Sequence, residues 1–469
     1  MKKIIYKRTN IQNRTIVLWY VLIFFSFSNC NDFLEIDDPI GQIPHEEVFM
    51  NETTATASIT SLYGKLRDEV LINGNSSGMG VLMGLYADEL DYYGAQGDFY
   101  ENLFFHNVIA SDPTVESIWA KAYNLVYMSN AALEGLENSD QFSMDFKNKL
   151  RGEALFVRGL VHFYMVNLFG DIPYPKTTDF IMNSQIHKIP VNLVYENILE
   201  DLNEAKSLLG DEYISGERIR ANRWVVSALL ARVYLYMGRW QDAEQESSNI
   251  IDNTTLFSLE IDLNEVFLKE SRSTIFQLKP GNSGSNTEEA AIYIFDSPPP
   301  PFVALSPNLI EAMESNDLRK TEWIGEVSDG TQSWYYANKY IQQFNTGTSM
   351  EYSIVFRLAE QYLIRSEARA NQNNIVGAQQ DLNVIRNRAG LDNTLAITQE
   401  ELQQAIVKER RFELFTEQGH RWFDIRRFGI ASQILEPIKP GWSVTDILFP
   451  IPESELLINP NLAPQNSGY

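Results

Sequence analysis

The sequence predicts a mostly α-helical protein: a scaffold of tetratricopeptide-like helical hairpins interrupted by two long, loop-rich regions. Three observations predict it. Apolar residues recur at helical spacing through most of the chain, small and aromatic residues combine in repeat-like strings, and the helical pattern breaks down over residues 74–111 and about 260–348.

Each helical stretch has its own signature. Val194, Ile198, Leu202, Ala205 and Leu209 fall on one helix face, and Trp224, Ala228, Ala231 and Tyr234 on one face of the next. Residues 116–137, 147–169, 357–370 and 378–389 read alike. Thr398 with Glu401 makes a capping box that opens a helix running to about Phe415, and Gly390 is placed to stop the helix before it. Residues 228–243 (ALLARVYLYMGRWQDA) have the spacing of a tetratricopeptide unit, in which small residues let two antiparallel helices approach closely. Residues 362–378 are a looser echo.

The two irregular regions differ from the rest in composition. The first is rich in Gly, Asn and aromatics. The second holds a strand-like piece at 274–278, a Gly- and Ser-rich run at 281–286, the rigid prolines 298–301 and a cluster of tryptophans. A structureless loop of that length is improbable in a compact domain unless it serves function, and binding residues tend to sit on loops held by a rigid scaffold. The ligand is therefore expected there.

Composition narrows the class. With 469 residues the chain can bury a large core, and its 44% hydrophobic and 21% charged residues are ordinary for a globular protein. The aromatic share, 12%, is somewhat high. A formal net charge of −24 repels nucleic acid at long range. The single cysteine, Cys30, excludes an intrachain disulfide and a cysteine metal cage.

The position of Cys30 is informative. Lys2, Lys3, Lys7, Arg8 and Arg14 precede an apolar run at 16–27, too short to span a bilayer comfortably but suited to a signal-peptide core. A sole cysteine just behind such a core resembles a bacterial lipoprotein signal. Residues 1–29 are then the signal peptide and Cys30 carries the lipid. Asn29 departs from the small residue usual before that cysteine. The acidic stretch 31–38 resembles the surface-export signal of Bacteroidetes lipoproteins.

Catalytic motifs are sparse. His45, His106, His162, His187 and His420 show no metal-ligand spacing, and neither a P-loop nor a Rossmann glycine fingerprint occurs. The carboxylates of Asp88, Glu89 and Asp91 sit beside aromatics, yet acid–base chemistry on a glycoside needs a pair flanking the bond. The chain is expected to be a binding protein without cofactor or metal, not an enzyme.

A family resemblance rests on ordered blocks: 119–135, 151–159 (RGEALFVRG), 357–368 (RLAEQYLIRSEA), 382–391 (LNVIRNRAGL), 409–414 (ERRFEL), 419–424 (GHRWFD), 449–452 (FPIP) and 465–469 (QNSGY). In this order they resemble the SusD/RagB family, over nearly all of residues 30–469, read as one domain. The resemblance implies a cell-surface, outer-membrane lipoprotein. Such a protein is a lid that catches oligosaccharides, or in some branches peptides, for a SusC-like TonB-dependent transporter. Arg410, Arg411, Glu413, Arg421, Trp422 and Asp424 are read as ion pairs and packing. A protein-binding tetratricopeptide scaffold is the alternative outside the family.

Sugar rings need an aromatic platform for their flat C–H faces and polar side chains for their hydroxyl rim. Residues 91–102 supply both. Asp91, Tyr92, Tyr93, Tyr100 and Asn102 are the expected ligand residues there, by region of the family's N-terminal loop. Trp323, Trp334 and Tyr335, with Tyr336 next to them, are the matching set in the second irregular region.

Overall fold

The computed structural model describes residues 45–469. Cys30 and the expected signal peptide, 1–29, lie outside the described residues. The chain divides after Val48. On the near side, one turn of helix spans His45–Val48.

The unit Phe49–Tyr469 is mostly helical. Its helices begin with α1 (Glu52–Asp68), α2 (Met79–Tyr86) and α3 (Phe99–Phe104), followed by the long pair α4 (Pro113–Asn138) and α5 (Met144–Phe169). Local chemistry sets their starts. Asp112 accepts the Thr114 N–H at 2.7 Å with Pro113 in the first turn, and the Ser143 hydroxyl caps α5.

Helix α5 packs between α4 and α6 (Val191–Leu208). A Cβ on Gly152 would lie 2.7 Å from the Leu209 side chain, and one on Gly159 3.0 Å from Leu202, so these glycines allow the close approach. Two hairpins then stack side by side. They are α7 (Arg223–Tyr236) with α8 (Trp240–Ile251), and α9 (Leu358–Asn371) with α10 (Ile375–Arg388). The first is the tetratricopeptide-like string and the second its echo. Helix α11 (Gln399–Glu413) carries the capping box of Thr398 and Glu401 and closes a core around Leu363, Leu382, Ile385 and Ile406. Helix α12 (His420–Arg427) follows.

The strands of the larger sheet come from the two irregular regions and join them. In the four-stranded antiparallel sheet the order is β1 (Leu90–Tyr92), β3 (Val303–Leu305), β5 (Ser333–Ala337), β4 (Ile324–Ser328). Leu90 faces Leu305, Tyr92 faces Val303, and Leu305 faces Tyr335. A separate pair, β2 (Thr274–Leu278) and β6 (Ser353–Arg357), leads into α9.

Buried ion pairs clamp this sheet layer to the C-terminal helices. Arg319 pairs with Asp317 and Glu409, both at 2.8 Å. Glu417 receives Lys339 at 2.6 Å and Arg357 at 2.7 Å. Arg410 pairs with Asp424, Arg411 and Arg421 with Asp88, and Arg357 with Glu413, while Trp422 is buried. The family blocks are thus buried structural ties. Removing one partner would strand a charge away from water.

Candidate functional site

Strand alternation divides the expected ligand residues into two adjoining clusters on either side of β1. Asp91 and Tyr93 lie on the side of Trp334, whose indole N–H is buried without a hydrogen-bond partner among the described residues. Tyr92 lies on the other, stacked on Tyr100 at 6.4 Å between ring centroids, with Phe302 edge-on to Tyr100 at 5.0 Å. Asp91, Tyr92, Tyr93, Tyr100, Asn102, Trp334 and Tyr335 are all half-buried.

The loop between β1 and α3 is shaped to hold these rings. The Tyr92 hydroxyl donates to the Asp98 carboxylate, and Asp98 in turn caps α3 by accepting the Glu101 N–H at 2.9 Å. A Cβ on Gly94 would collide with the Tyr92 ring, so only glycine lets the backbone fold over it. The Tyr100 hydroxyl donates to the Ser76 hydroxyl at 3.0 Å. The Asn102 side-chain amide makes no hydrogen bond among the described residues, and it leaves α3 on a different face from Tyr100, two positions before it.

Electrostatics of the Trp334 side centre on a buried lysine. Lys439, 3% exposed, donates to the Leu85 carbonyl at 2.9 Å, and its ammonium lies 3.4 Å from the Phe104 ring centroid. Burial pushes it down to about 7, against the pull of Asp91 and Asp88. Burial raises Asp91, with Lys439 opposing the shift. Burial and then the Asp91 charge raise the Tyr93 phenol. These groups suit hydrogen bonding to hydroxyls better than binding of a strong ion.

One expectation is corrected. Trp323 is 1% exposed, its indole N–H donates to the Leu263 carbonyl at 3.0 Å, and Phe267 packs edge-on at 5.4 Å. It has no face to offer a ligand. Tyr335 shares the side of its cross-strand partner Leu305, which is the side of Tyr92 and not of Trp334, so it belongs with the Tyr92 cluster. Tyr336, two residues' worth of alternation from Trp334, does share its side, where it packs on Phe295 at 5.4 Å. Sequence reasoning missed Phe302, although the prolines at 298–301 marked the rigid segment that delivers it.

The carboxylates beside β1 do not form an open acid–base pair. Asp88 is buried against Arg421 at 2.6 Å and Arg411 at 2.8 Å, which together hold it below the usual carboxylate range despite burial. Glu89 is buried, and burial with the neighbouring Asp88 charge raises it to about 8. His106 and His162 are buried and pushed to about 3. Among the described residues no cluster of His, Cys, Asp and Glu is placed to hold a metal ion.

Comparison with known proteins agrees with this architecture. Residues 32–235 match the family described as starch-binding and associating with the outer membrane, and residues 312–469 match the SusD family. This chain belongs to the SusD/RagB family. SusD-like protein P2 of Formosa agariphila is 28% identical, covering 96% of this chain and 99% of that protein. Two solved structures share the fold. A laminarin-binding SusD-like protein superposes with a TM-score of 0.77 at 22% identity, over 89% of this chain and 100% of the other. Surface glycan-binding protein A from Bacteroides thetaiotaomicron gives 0.75 at 18%, over 90% and 100%. Among the described residues of this SusD/RagB chain, no helix is long and apolar enough to cross a membrane.

Proposed function

We propose that this protein captures oligosaccharides at the cell surface, held to the outer membrane by lipid on Cys30, and delivers them to a SusC-like TonB-dependent transporter without cleaving them. The observation that carries the reading is the union of both irregular regions in one sheet. That pairing sets Trp334, Tyr93 and Asp91 on one side of β1 and Tyr92, Tyr100 and Phe302 on the other. Aromatic rings next to a carboxylate and phenols are the chemistry of sugar recognition. The family description and the laminarin-binding neighbour support a glycan over a peptide. Buried Asp88 and Glu89 support binding over hydrolysis.

Two or three ring contacts, each worth about 0.5–1.5 kcal/mol beyond burial, with hydrogen bonds to the rim, correspond to a Kd in roughly the micromolar to millimolar range. That suits a protein that must release its cargo. The test is a glycan array probed with the soluble part, followed by chromatography of the bound glycan after incubation. Retention of one glycan class, recovered intact, is expected. Binding of peptides alone, or recovery of shortened chains, would overturn the reading.

A further inference from the structure

The segment that receives the Tyr100 hydroxyl at Ser76 also walls a second concavity at Gly74, two residues upstream. This cleft, about 480 Å³, lies between the loops 280–288 and 341–347. It is as large as an ordinary small-ligand site.

The two loops are tied together before any ligand arrives. Asn345 donates to the Ser283 carbonyl at 2.9 Å, the Thr346 N–H to Gly284 at 2.9 Å, and the Asn286 amide to Phe344 at 2.9 Å. The Asn286 side-chain oxygen accepts from Met350 and Glu351 at 2.7 and 3.0 Å. Gly284 has φ 73°, and a Cβ there would meet the Asn345 side chain at 2.5 Å. The frame is therefore preformed, which lowers the ordering cost of binding.

What the frame presents is unspent. Phe344 lines the cleft with 80% of its surface exposed. The side-chain amides of Asn282, Gln342 and Gln343 line it too and make no hydrogen bond among the described residues. Arg67 is the one cation in the lining, and it is paired with Asp68, while Glu288 adds negative charge. An open aromatic face with free amides and no unpaired cation fits a neutral, hydroxyl-rich chain and disfavours sulfated or uronic ones.

We propose that this cleft is a second contact site for the captured glycan, holding neutral sugar units that lie beyond those seated at Tyr100 and Trp334. The inference rests on the glycan-capture reading and adds to it a preference for long, uncharged chains. The test uses the full-length protein with laminarin, starch and xylan, and short and long oligosaccharides cut from each. Phe344→Ala and the double change Gln342→Ala with Gln343→Ala alter exposed or half-exposed side chains, so both variants should fold. Each is expected to weaken binding of the long chains about five-fold or more and leave the short ones unchanged. Trp334→Ala should weaken both. Unchanged long-chain affinity in both cleft variants, with Trp334→Ala defective, overturns the cleft and leaves the capture reading standing. Failure of the wild type to retain any of the three polysaccharides or their fragments overturns both.

Discussion

Replacing Trp323 by alanine separates a structural tryptophan from a ligand platform. The indole is fully buried, donates to the Leu263 carbonyl at 3.0 Å, and packs on Phe267. The Lys339 ammonium lies 5.0 Å from its ring centroid. Deleting a buried Trp side chain costs about 3–5 kcal/mol, and the Leu263 carbonyl, left with only the Val266 N–H at 3.4 Å, adds up to about 1 kcal/mol. Lys339 also loses a ring that offsets part of its burial. A loss of about 4 kcal/mol or more is therefore expected, read as a large fall in thermal midpoint by calorimetry. At a temperature where the variant remains folded, its affinity for the array-selected glycan should equal that of the wild type. A wild-type midpoint combined with lost binding would refute the assignment of Trp323 to the core.

Further outcomes follow from other residues. Glu89, raised to about 8 by burial and by Asp88, holds a proton in the fold that it releases near pH 4–5 when unfolded. Its contribution is fully present below that range and is lost as pH rises toward about 8. Glu89→Gln should thus gain in melting temperature over the wild type as pH rises from about 5 to 8, and equal pH profiles for the two would contradict the assignment. Arg421→Met leaves the buried Asp88 with only Arg411 and should cost about 3–5 kcal/mol in thermal or denaturant unfolding, whereas a wild-type midpoint would show the pair to be dispensable. Cys30→Ala should abolish lipid labelling and release the protein from outer-membrane fractions, and unchanged retention with labelling would rule out lipidation there. Mild-detergent extracts of cells that express this chain with a SusC-like TonB-dependent protein should yield a complex of the two, and recovery of this chain alone would count against the uptake role.

The helices were legible because their signals are local. The face Val194, Ile198, Leu202 and Ala205 is buried as its spacing demands, and Thr398 with Glu401 forms both halves of its cap. The helix opened by that cap ends at Glu413, two residues short of the expected end, and Phe415 is buried beyond it. The sheet was not legible, because β1 and β3 are three-residue strands paired across more than 200 positions, and no local period encodes such a partner. Hence both aromatic regions could be named from composition, but not the division of their rings by strand alternation. Trp323 and Trp334 look alike in sequence. Only the fold distinguishes them, by covering Trp323 with Phe267 and Leu263 and leaving Trp334 half-buried beside Tyr93.

The central claim, glycan capture by the rings around β1, is tested most directly by calorimetric titration of the array-selected glycan into the wild type, Tyr100→Ala and Trp334→Ala, each paired with a melting curve. Truncating a ring that stacks on ligand should weaken binding by about 1–3 kcal/mol, at least five-fold and beyond detection for a weak site. Each variant should melt closer to the wild type than Trp323→Ala does, since both rings are only half-buried. Wild-type affinity in both variants would contradict the account.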